Sequence, residues 1–303
     1  MDTELIEIHK AYERISPFIR RTPLLEADVN HHGKTQKVLL KLEFLQIGGS
    51  FKLRGALSKI SMSSASTVVA FSGGNHGIAV AYAAICFNKK AIVYLPSSTP
   101  HFKKSVIESF GAEVRALDEP MNMIYEKAIC FSKQAGALFV HPYDDIDVIR
   151  GAGTLGLELD HVLNPNRWLV GVGGGGLISG LTLALPGRDI LPVESILCPS
   201  LHQAQASNQP ILVTSSGIAQ SGLGAPSIGQ LNWNIIQQNN HPVTRVSDEM
   251  IQLAQRWLWS HCRILVEPSG GTALAALFEP DWEFSTDPVG IILCGANTAE
   301  LPL

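Results

Sequence analysis

The chain has 303 residues, of which 46% are hydrophobic and 17% are charged, whereas an average globular protein has about 25% charged residues. This composition excludes a disordered chain, and the length is sufficient for two mid-sized domains. The formal net charge is −4 and no run of Lys or Arg occurs, which excludes a dedicated nucleic-acid-binding protein.

The five cysteines are widely separated, odd in number and without a CxxC pair, so reduced thiols are expected, with neither a disulfide framework nor a zinc site. The N-terminal residues carry several charges and lack an apolar signal segment, which predicts a cytoplasmic protein. An uncharged stretch at 168–186 has the length of a membrane span. It contains four consecutive glycines, however, and is interpreted as a strand, a loop and a helix rather than a contact with a membrane.

Apolar runs and amphipathic segments alternate along the chain. Most of the apolar runs are continuous, as expected for parallel strands that are covered on both faces by helices. The strands are predicted at 38–42, 68–71, 91–95, 138–141, 168–172, 193–198 and 289–294. The helices are predicted at 77–87, 102–110, 121–134, 177–185 and 248–259, the last with Ser247 as its N-cap. This alternation predicts an α/β fold with parallel sheets.

The first unusual segment is the lysine loop, residues 48–52, with the sequence Gly-Gly-Ser-Phe-Lys. It follows an apolar strand and opens a helix, and its small residues would let a ligand approach the backbone closely. The positive end of the helix is expected to lower the pKa of Lys52. A solvated lysine on a helix face is the ordinary alternative.

The second segment is the serine loop, residues 72–76, with the sequence Ser-Gly-Gly-Asn-His at another strand-to-helix junction. Its backbone N–H groups, together with the side chains of Ser72, Asn75 and His76, are predicted to bind a carboxylate. A plain turn with a polar cap is the alternative.

The third segment is the glycine loop, residues 173–176, which lies between an apolar strand and an apolar helix. A row of N–H groups at a helix start is suited to a phosphate group. Gly171, Gly173 and Gly176 also match GxGxxG, with Glu194 near the following strand, so a nicotinamide-dependent oxidoreductase is an alternative from a different class.

Together the three loops resemble the serine/threonine dehydratase and serine racemase family of pyridoxal-phosphate enzymes, the tryptophan-synthase-β-like or fold type II group. The resemblance spans nearly the whole chain and continues through HPYDD at 141–145, GAGT at 151–154, EPSGG at 267–271 and CGAN at 294–297. It implies two domains, each an open, mostly parallel, twisted sheet flanked by helices. The larger would comprise 1–70 and 148–303 and the smaller 71–147, with the active site in the cleft between them.

The resemblance also implies roles for individual residues. Lys52 would hold pyridoxal phosphate covalently, Phe51 would lie beside its ring, and Asn75 would hydrogen-bond the 3-hydroxyl. Cys294 would face the pyridine nitrogen. The phosphate would be held by Gly173, Gly174, Gly175, Gly176 and Leu177. The substrate carboxylate would be bound by Ser72, Gly73, Gly74, Asn75 and His76.

Several positions depart from the family pattern. The racemases carry a serine where this chain has Gly73, so a one-base elimination is expected, and Gly73→Ser is expected to place a proton donor opposite Lys52. Residues 198–204 lack the carboxylates with which the racemase-like branch binds a divalent cation, so no metal is expected. Arg150 and residues 220–222 also differ, and both are expected near the substrate or a subunit contact.

The resemblance therefore implies an ammonia-lyase that converts a small β-hydroxy L-amino acid, such as L-threonine or L-serine, to a 2-oxo acid and ammonia. It further implies a homodimer. A racemase or another lyase with the same fold is the main alternative. A cofactor-binding protein without catalytic activity and the nicotinamide-dependent oxidoreductase remain as further alternatives.

Overall fold

The computed structural model describes residues 3–31, 33–162, 164–239 and 241–299, so the ends of the predicted large domain, 1–2 and 300–303, lie outside the described residues. The helices are α1 Thr3–Ile15, α2 Lys52–Ser61, α3 Asn75–Cys86, α4 His101–Ser109, α5 Met121–Gln134, α6 Ile146–Leu159, α7 Gly176–Ala184, α8 Ser200–Ser207, α9 Gln220–Leu223, α10 Gln230–Ile236, α11 Asp248–Trp257 and α12 Pro268–Ala275. The strands are β1 Leu24–His31, β2 Lys34–Lys41, β3 Thr67–Phe71, β4 Lys90–Pro96, β5 Glu113–Leu117, β6 Leu138–Phe139, β7 Arg167–Gly171, β8 Asp189–Ser195, β9 Thr244–Val246 and β10 Val289–Ile292.

The larger of the two sheets formed by the described residues has six strands in the order β1-β2-β10-β7-β8-β9. The β1–β2 pair is antiparallel and the other neighbours are parallel. The carboxyl ends of β2, β10 and β7 therefore meet at one edge of this sheet. The lysine loop, residues 294–297 and the glycine loop follow these three adjacent strands, so the topology brings them together.

The second sheet in the described ranges has four parallel strands in the order β5-β4-β3-β6. The serine loop follows β3 at the carboxyl edge of this sheet. The two sheets confirm the predicted α/β fold class. The domain boundary predicted after residue 70 falls inside β3, all of which pairs in the four-stranded sheet; the division into domains stays a prediction.

The apolar pattern located most elements, but it misplaced one strand. The strand predicted at 193–198 is observed as β8, because β8 pairs with β7 from Asp189 to Val193 and the chain turns after Ser195. Ile196 and Leu197 are consequently 40% and 41% exposed, although their sequence reads as buried strand. The helix predicted at 121–134 is observed with those bounds, and Ser247 caps α11 by accepting from the N–H of Met250.

The uncharged stretch at 168–186 consists of β7, the glycine loop and α7, as predicted. In the ranges that the structure describes, no helix is both long and apolar enough to cross a bilayer. Trp168 in β7 is fully buried beside Gly290 of β10, where a Cβ atom would overlap the indole ring. Gly290 thus makes room for the largest side chain in the core of this sheet.

Four buried charged side chains fix the start of α2 to the surrounding elements. Arg54 binds Glu43 through Nε at 2.6 Å and Nη2 at 3.0 Å, and its Nη2 lies 2.8 Å from Glu158 of α6. Lys41, at the end of β2, lies 2.6 Å from the other oxygen of Glu158. Two cations thus neutralise two carboxylates close to the start of α2, where Lys52 lies.

We expect Glu43→Ala to lower the free energy of unfolding by about 3–5 kcal/mol, because it leaves the buried Arg54 without its bidentate partner. Urea denaturation measures the loss. The control is Glu7→Ala, which removes an exposed carboxylate paired with Lys10 at 2.7 Å and should cost far less stability. Equal losses in the two variants would contradict the structural role of the buried charges.

Candidate active site

The lysine loop lies directly against the residues that follow β10. The N–H of Phe51 donates to the carbonyl of Cys294 at 3.1 Å, and the N–H of Ala296 donates to the carbonyl of Gly49 at 3.0 Å. Ser50 and Gly295 form an isolated antiparallel bridge between these two contacts. Lys52 and Cys294, which are 242 positions apart in the sequence, are thus brought to one place, as the resemblance implied.

Lys52 is the first residue of α2, and its Nζ donates to the carbonyl of Pro142 at 2.8 Å. The same Nζ lies 4.9 Å from the centre of the Phe51 ring. Burial lowers the pKa of the Lys52 amine to about 8, so burial, rather than the helix N-terminus invoked from the sequence, is the main cause of the shift. A sizeable fraction of this amine is neutral, and hence nucleophilic, near neutral pH.

Cys294 is a buried, protonated thiol. Its Sγ lies 3.6 Å from the carbonyl oxygen of Ser269, to which it donates a weak hydrogen bond. Burial and, to a smaller extent, the nearby Glu267 carboxylate raise the pKa of Cys294 to about 12. The Cys294 side chain is therefore an uncharged thiol at neutral pH.

Asn75, the first residue of α3, is held at both ends of its amide. Its Nδ2 donates to Glu267 at 2.5 Å, and its Oδ1 accepts from Asn297 Nδ2 at 2.7 Å. Asn297 Nδ2 also donates to the carbonyl of Gly48 at 2.8 Å, which identifies this atom as nitrogen and so assigns both amides. Asn75 retains one amide hydrogen for a ligand.

Glu267 and Asn297 were not assigned a role from the sequence, although both belong to motifs that carry the resemblance. Each lies about two hundred residues from Asn75, and a hydrogen bond over that distance leaves no local pattern in the sequence. The only signal available was the presence of polar residues in two short motifs, one directly before a helix and one shortly after a strand.

The glycine loop presents a row of free donors. Among the described residues, the N–H groups of Gly173 to Leu177 have no hydrogen-bond acceptor, and they lie at the N-terminus of α7. Gly175 has a φ of +95°, and a Cβ there would lie 2.8 Å from both Asn232 Cβ and Ile228 Cδ1. Free amides, a positive helix end and the lack of side chains together suit a phosphate group.

The serine loop combines free amides with side chains that are used elsewhere. The N–H groups of Gly73 and Asn75 have no acceptor within the described ranges, whereas the N–H of Gly74 donates to Ser72 Oγ at 3.2 Å. Two side chains expected to bind a carboxylate are already engaged. His76 is buried and donates from Nε2 to the carbonyl of Val140 at 2.8 Å, and Asn75 is held as described above.

Burial also lowers the pKa of His76 to about 3, so its imidazole remains neutral. The His76 side chain therefore fixes the serine loop to the carbonyl of Val140. Its only N–H is used in that bond and cannot also donate to a carboxylate, as the sequence had led us to expect. The loop can still bind an anion through its backbone donors and through Ser72 Oγ.

The side chain of Thr99 already lies where Gly73→Ser is expected to place a proton donor, and the effect of that replacement stays a prediction. A Cβ on Gly73 would lie 2.5 Å from Thr99 Oγ1 and 2.7 Å from Thr99 Cγ2, so the side chain of Thr99 already fills this space. Gly73→Ser therefore requires the side chain of Thr99, a residue of another loop, to move.

The two other departures from the family pattern have different surroundings. Arg150 binds Glu4 of α1 at 2.9 Å and 3.0 Å, so its charge is used to attach α1 to α6. The segment 220–222 lies across from the serine loop, where the carbonyl of Ser221 is 3.5 Å from the Cβ position of Gly74. Of the two, this segment is the one that lies against the serine loop.

Glu194, which completes the GxGxxG interpretation, is buried and accepts from the N–H groups of Leu201 at 3.0 Å and His202 at 2.9 Å. Its carboxylate is therefore committed to the start of α8 and is not presented to a ribose. Over the described part of the chain, no group of three or more His, Cys, Asp or Glu side chains is placed to hold a metal ion.

The family model for pyridoxal-phosphate dependent enzymes matches residues 15–295, so the chain belongs to that family. It is 34% identical to the L-threonine ammonia-lyase of Geobacter sulfurreducens, covering 96% of this chain and 74% of that protein. It is 30% identical to the serine racemase of Arabidopsis thaliana, covering 97% and 93%. The structure of maize serine racemase superposes with a TM-score of 0.90 at 29% identity, covering 97% and 93%, and a crystal structure of a threonine deaminase superposes with a TM-score of 0.89 at 32% identity, covering 98% and 99%.

The cofactor predicted from the sequence, pyridoxal phosphate, is thereby confirmed, as are the family and the fold type II class. The residues present fit this group: Lys52 offers an amine of lowered pKa, the glycine loop offers free amides for its phosphate, and Asn75 offers one oriented N–H. The GxGxxG spacing is incidental to this use of the glycines. The roles of the individual site residues remain predictions.

The lowered pKa of Lys52 predicts how fast the apoprotein takes up pyridoxal phosphate at different pH values. With a pKa of about 8, roughly a tenth of the amine is neutral at pH 7 and roughly nine-tenths at pH 9. The rate of covalent attachment, followed by absorbance, should therefore rise across this interval and level off above it. A rate that does not change between pH 7 and pH 9 would contradict the assignment.

Gly175→Ala should weaken pyridoxal-phosphate binding by at least about tenfold, because the added Cβ collides with Asn232 and Ile228 and distorts the glycine loop. Gly187→Ala is a matched control, since Gly187 also has a positive φ, +83°, but has no atom within 4 Å of its Cβ position. The control should lose about 1 kcal/mol of stability and keep its cofactor affinity. Titration of both apoproteins with pyridoxal phosphate measures the difference.

Proposed function

We propose that the protein is a pyridoxal-phosphate-dependent ammonia-lyase that eliminates the β-hydroxyl of a small β-hydroxy L-amino acid, such as L-threonine or L-serine, and converts it to a 2-oxo acid and ammonia. The observation that carries the proposal is the Lys52 amine, which has a lowered pKa and no carboxylate hydrogen-bonded to it among the described residues. Relatives that are named as threonine ammonia-lyases and as serine racemases both accord with an amino-acid substrate. When bound, the cofactor draws electrons from the substrate Cα.

Lys52 supplies the base in this proposal. An amine with a pKa of about 8 is partly neutral at physiological pH and would accept the proton from the substrate Cα. The same side chain, now protonated, can return a proton to the departing β-hydroxyl. One residue then serves both proton transfers, as a one-base elimination requires.

The serine loop supplies the substrate carboxylate site. The free N–H groups of Gly73 and Asn75 lie at the start of α3, where the helix dipole favours a negative charge. Asn75 also contacts Asn297, which follows β10 of the six-stranded sheet, and Glu267, whose N–H donates to the carbonyl of Gly295 after the same strand. By contrast, α3 follows a strand of the four-stranded sheet. This contact supports the proposal that the active site lies in a cleft between two domains.

Cys294 favours elimination over transamination in this proposal. A thiol with a pKa of about 12 is neutral at physiological pH and provides no negative charge to hold a proton on the pyridine nitrogen. A neutral nitrogen is a weaker electron sink, which suits a reaction in which the β-substituent leaves promptly.

The test is to measure 2-oxo acid and ammonia released by the holoenzyme from L-threonine and L-serine, with chiral analysis of the recovered serine. Lys52→Ala should lose turnover by at least about 10⁴-fold, since both the cofactor attachment and the base are removed. Lys59→Ala is the matched control on the same helix, because Lys59 binds Asp145 at 2.8 Å and Asp147 at 3.0 Å and should leave turnover in place.

D-serine formed faster than 2-oxo acid would identify the protein as a racemase instead. Bound cofactor with no turnover across a panel of β-hydroxy amino acids would contradict the proposed activity.

A further inference from the structure

Thr99 lies in the turn between β4 and α4, where its N–H donates to the carbonyl of Pro96 at 3.0 Å. Its side chain packs against the serine loop, 2.5 Å and 2.7 Å from the point where a Cβ of Gly73 would stand. These separations are too short for two side chains. Thr99 can therefore occupy this place only because residue 73 is glycine.

The hydroxyl of Thr99 has no hydrogen-bond partner among the described residues, and its side chain is only partly exposed. The N–H groups of Gly73 and Asn75 beside it also lack acceptors. Three neighbouring groups thus offer hydrogens and none of them receives an acceptor from the described chain. Donors without an acceptor in the described chain can bind solvent or an acceptor on a ligand, and an anionic ligand satisfies several of them at once.

A positive charge lies on the same segment. Lys103 is 9% exposed, and its ammonium forms neither a hydrogen bond nor an ion pair with any described residue; it lies 5.8 Å from the centre of the Phe102 ring. One helical turn later Ile107 packs on the start of α3, 3.1 Å from the Cβ position of Gly77. Because Lys103 and Ile107 are one turn apart, they share the face of α4 that packs against α3, and the unpaired ammonium on this face favours an anion.

We propose that Thr99 is a substrate-binding residue whose hydroxyl donates to the α-carboxylate of the amino acid held by the serine loop. The proposal rests on the proposed function, because it takes the ligand of that loop to be the carboxylate of an amino acid. Gly73 and Thr99 then form one unit: residue 73 has no side chain, and Thr99 from the neighbouring turn supplies a hydroxyl in that space.

The test compares two replacements of Thr99 that separate its hydroxyl from its shape. Thr99→Val keeps the branched shape and removes the hydroxyl, so the dissociation constant of an amino acid should rise by about 10-fold. Thr99→Ser keeps the hydroxyl and should stay within about threefold of the wild-type value. L-alanine is the probe, since it carries the carboxylate but no β-hydroxyl, and its binding is read from the absorbance of the bound cofactor.

The melting temperature and the pyridoxal-phosphate affinity of both variants should remain at the wild-type values, because Thr99 is placed to meet the substrate and not the cofactor. Wild-type affinity for L-alanine in Thr99→Val would overturn the proposal, and so would a loss of stability or cofactor affinity in that variant that accounts for the weaker binding. L-alanine binding requires no turnover. A wild-type enzyme that binds L-alanine but releases no 2-oxo acid from L-threonine or L-serine would therefore refute the proposed function alone.

A double replacement tests the Gly73–Thr99 unit separately. Gly73→Ala should weaken L-alanine binding because its Cβ collides with Thr99. Combining Gly73→Ala with Thr99→Gly removes the collision, so the two effects should be less than multiplicative. Strictly multiplicative effects would show that the two positions do not share this space and would contradict the unit.

Discussion

The ion pairs of Arg54 hold the start of α2, and the remainder of the site is arranged around that helix. Arg54 lies two residues beyond Lys52 and connects Glu43, just past β2, with Glu158 of α6. Burying charges is costly, and the cost is offset only while each charge keeps its partners in good geometry. The start of α2 consequently has little freedom to shift, and Lys52 projects from a fixed helix end, as a reactive group that must be aligned with a cofactor requires.

The groups that surround the Lys52 amine are mostly uncharged. Lys52 donates to a backbone carbonyl, His76 is neutral, and Cys294 remains a thiol. The Glu267 carboxylate accepts a hydrogen bond from the amide of Asn75. Burial disfavours the ammonium form of Lys52, and no carboxylate among the described residues is hydrogen-bonded to the amine to stabilise that form. Its pKa is low for these two reasons. This arrangement is what the proposed proton transfers require.

Local patterns in the sequence predicted the parts of the site that are contiguous. Lys52, the serine loop and the glycine loop each sit at a strand-to-helix junction, and glycines there restrict the interpretations strongly. Three features could not be predicted, because each joins distant segments of the chain. They are the hydrogen-bond partners of Asn75, the buried ion pairs of Arg54, and the packing of Thr99 against Gly73. The displaced bounds of β8 have the same origin, since its register is set by β7 rather than by its own apolar residues.

The free amides of the glycine loop link the protein's folding to the supply of its cofactor. Without a phosphate, the N–H groups of Gly173 to Leu177 have no acceptor in the described chain and depend on solvent. Any ligand that binds only the folded chain shifts the folding equilibrium in proportion to the logarithm of its free concentration. In a cell short of vitamin B6, newly made chains would spend longer unfolded and be exposed to proteases for longer. The abundance of this protein, and not only its activity, would then follow the vitamin status of the cell.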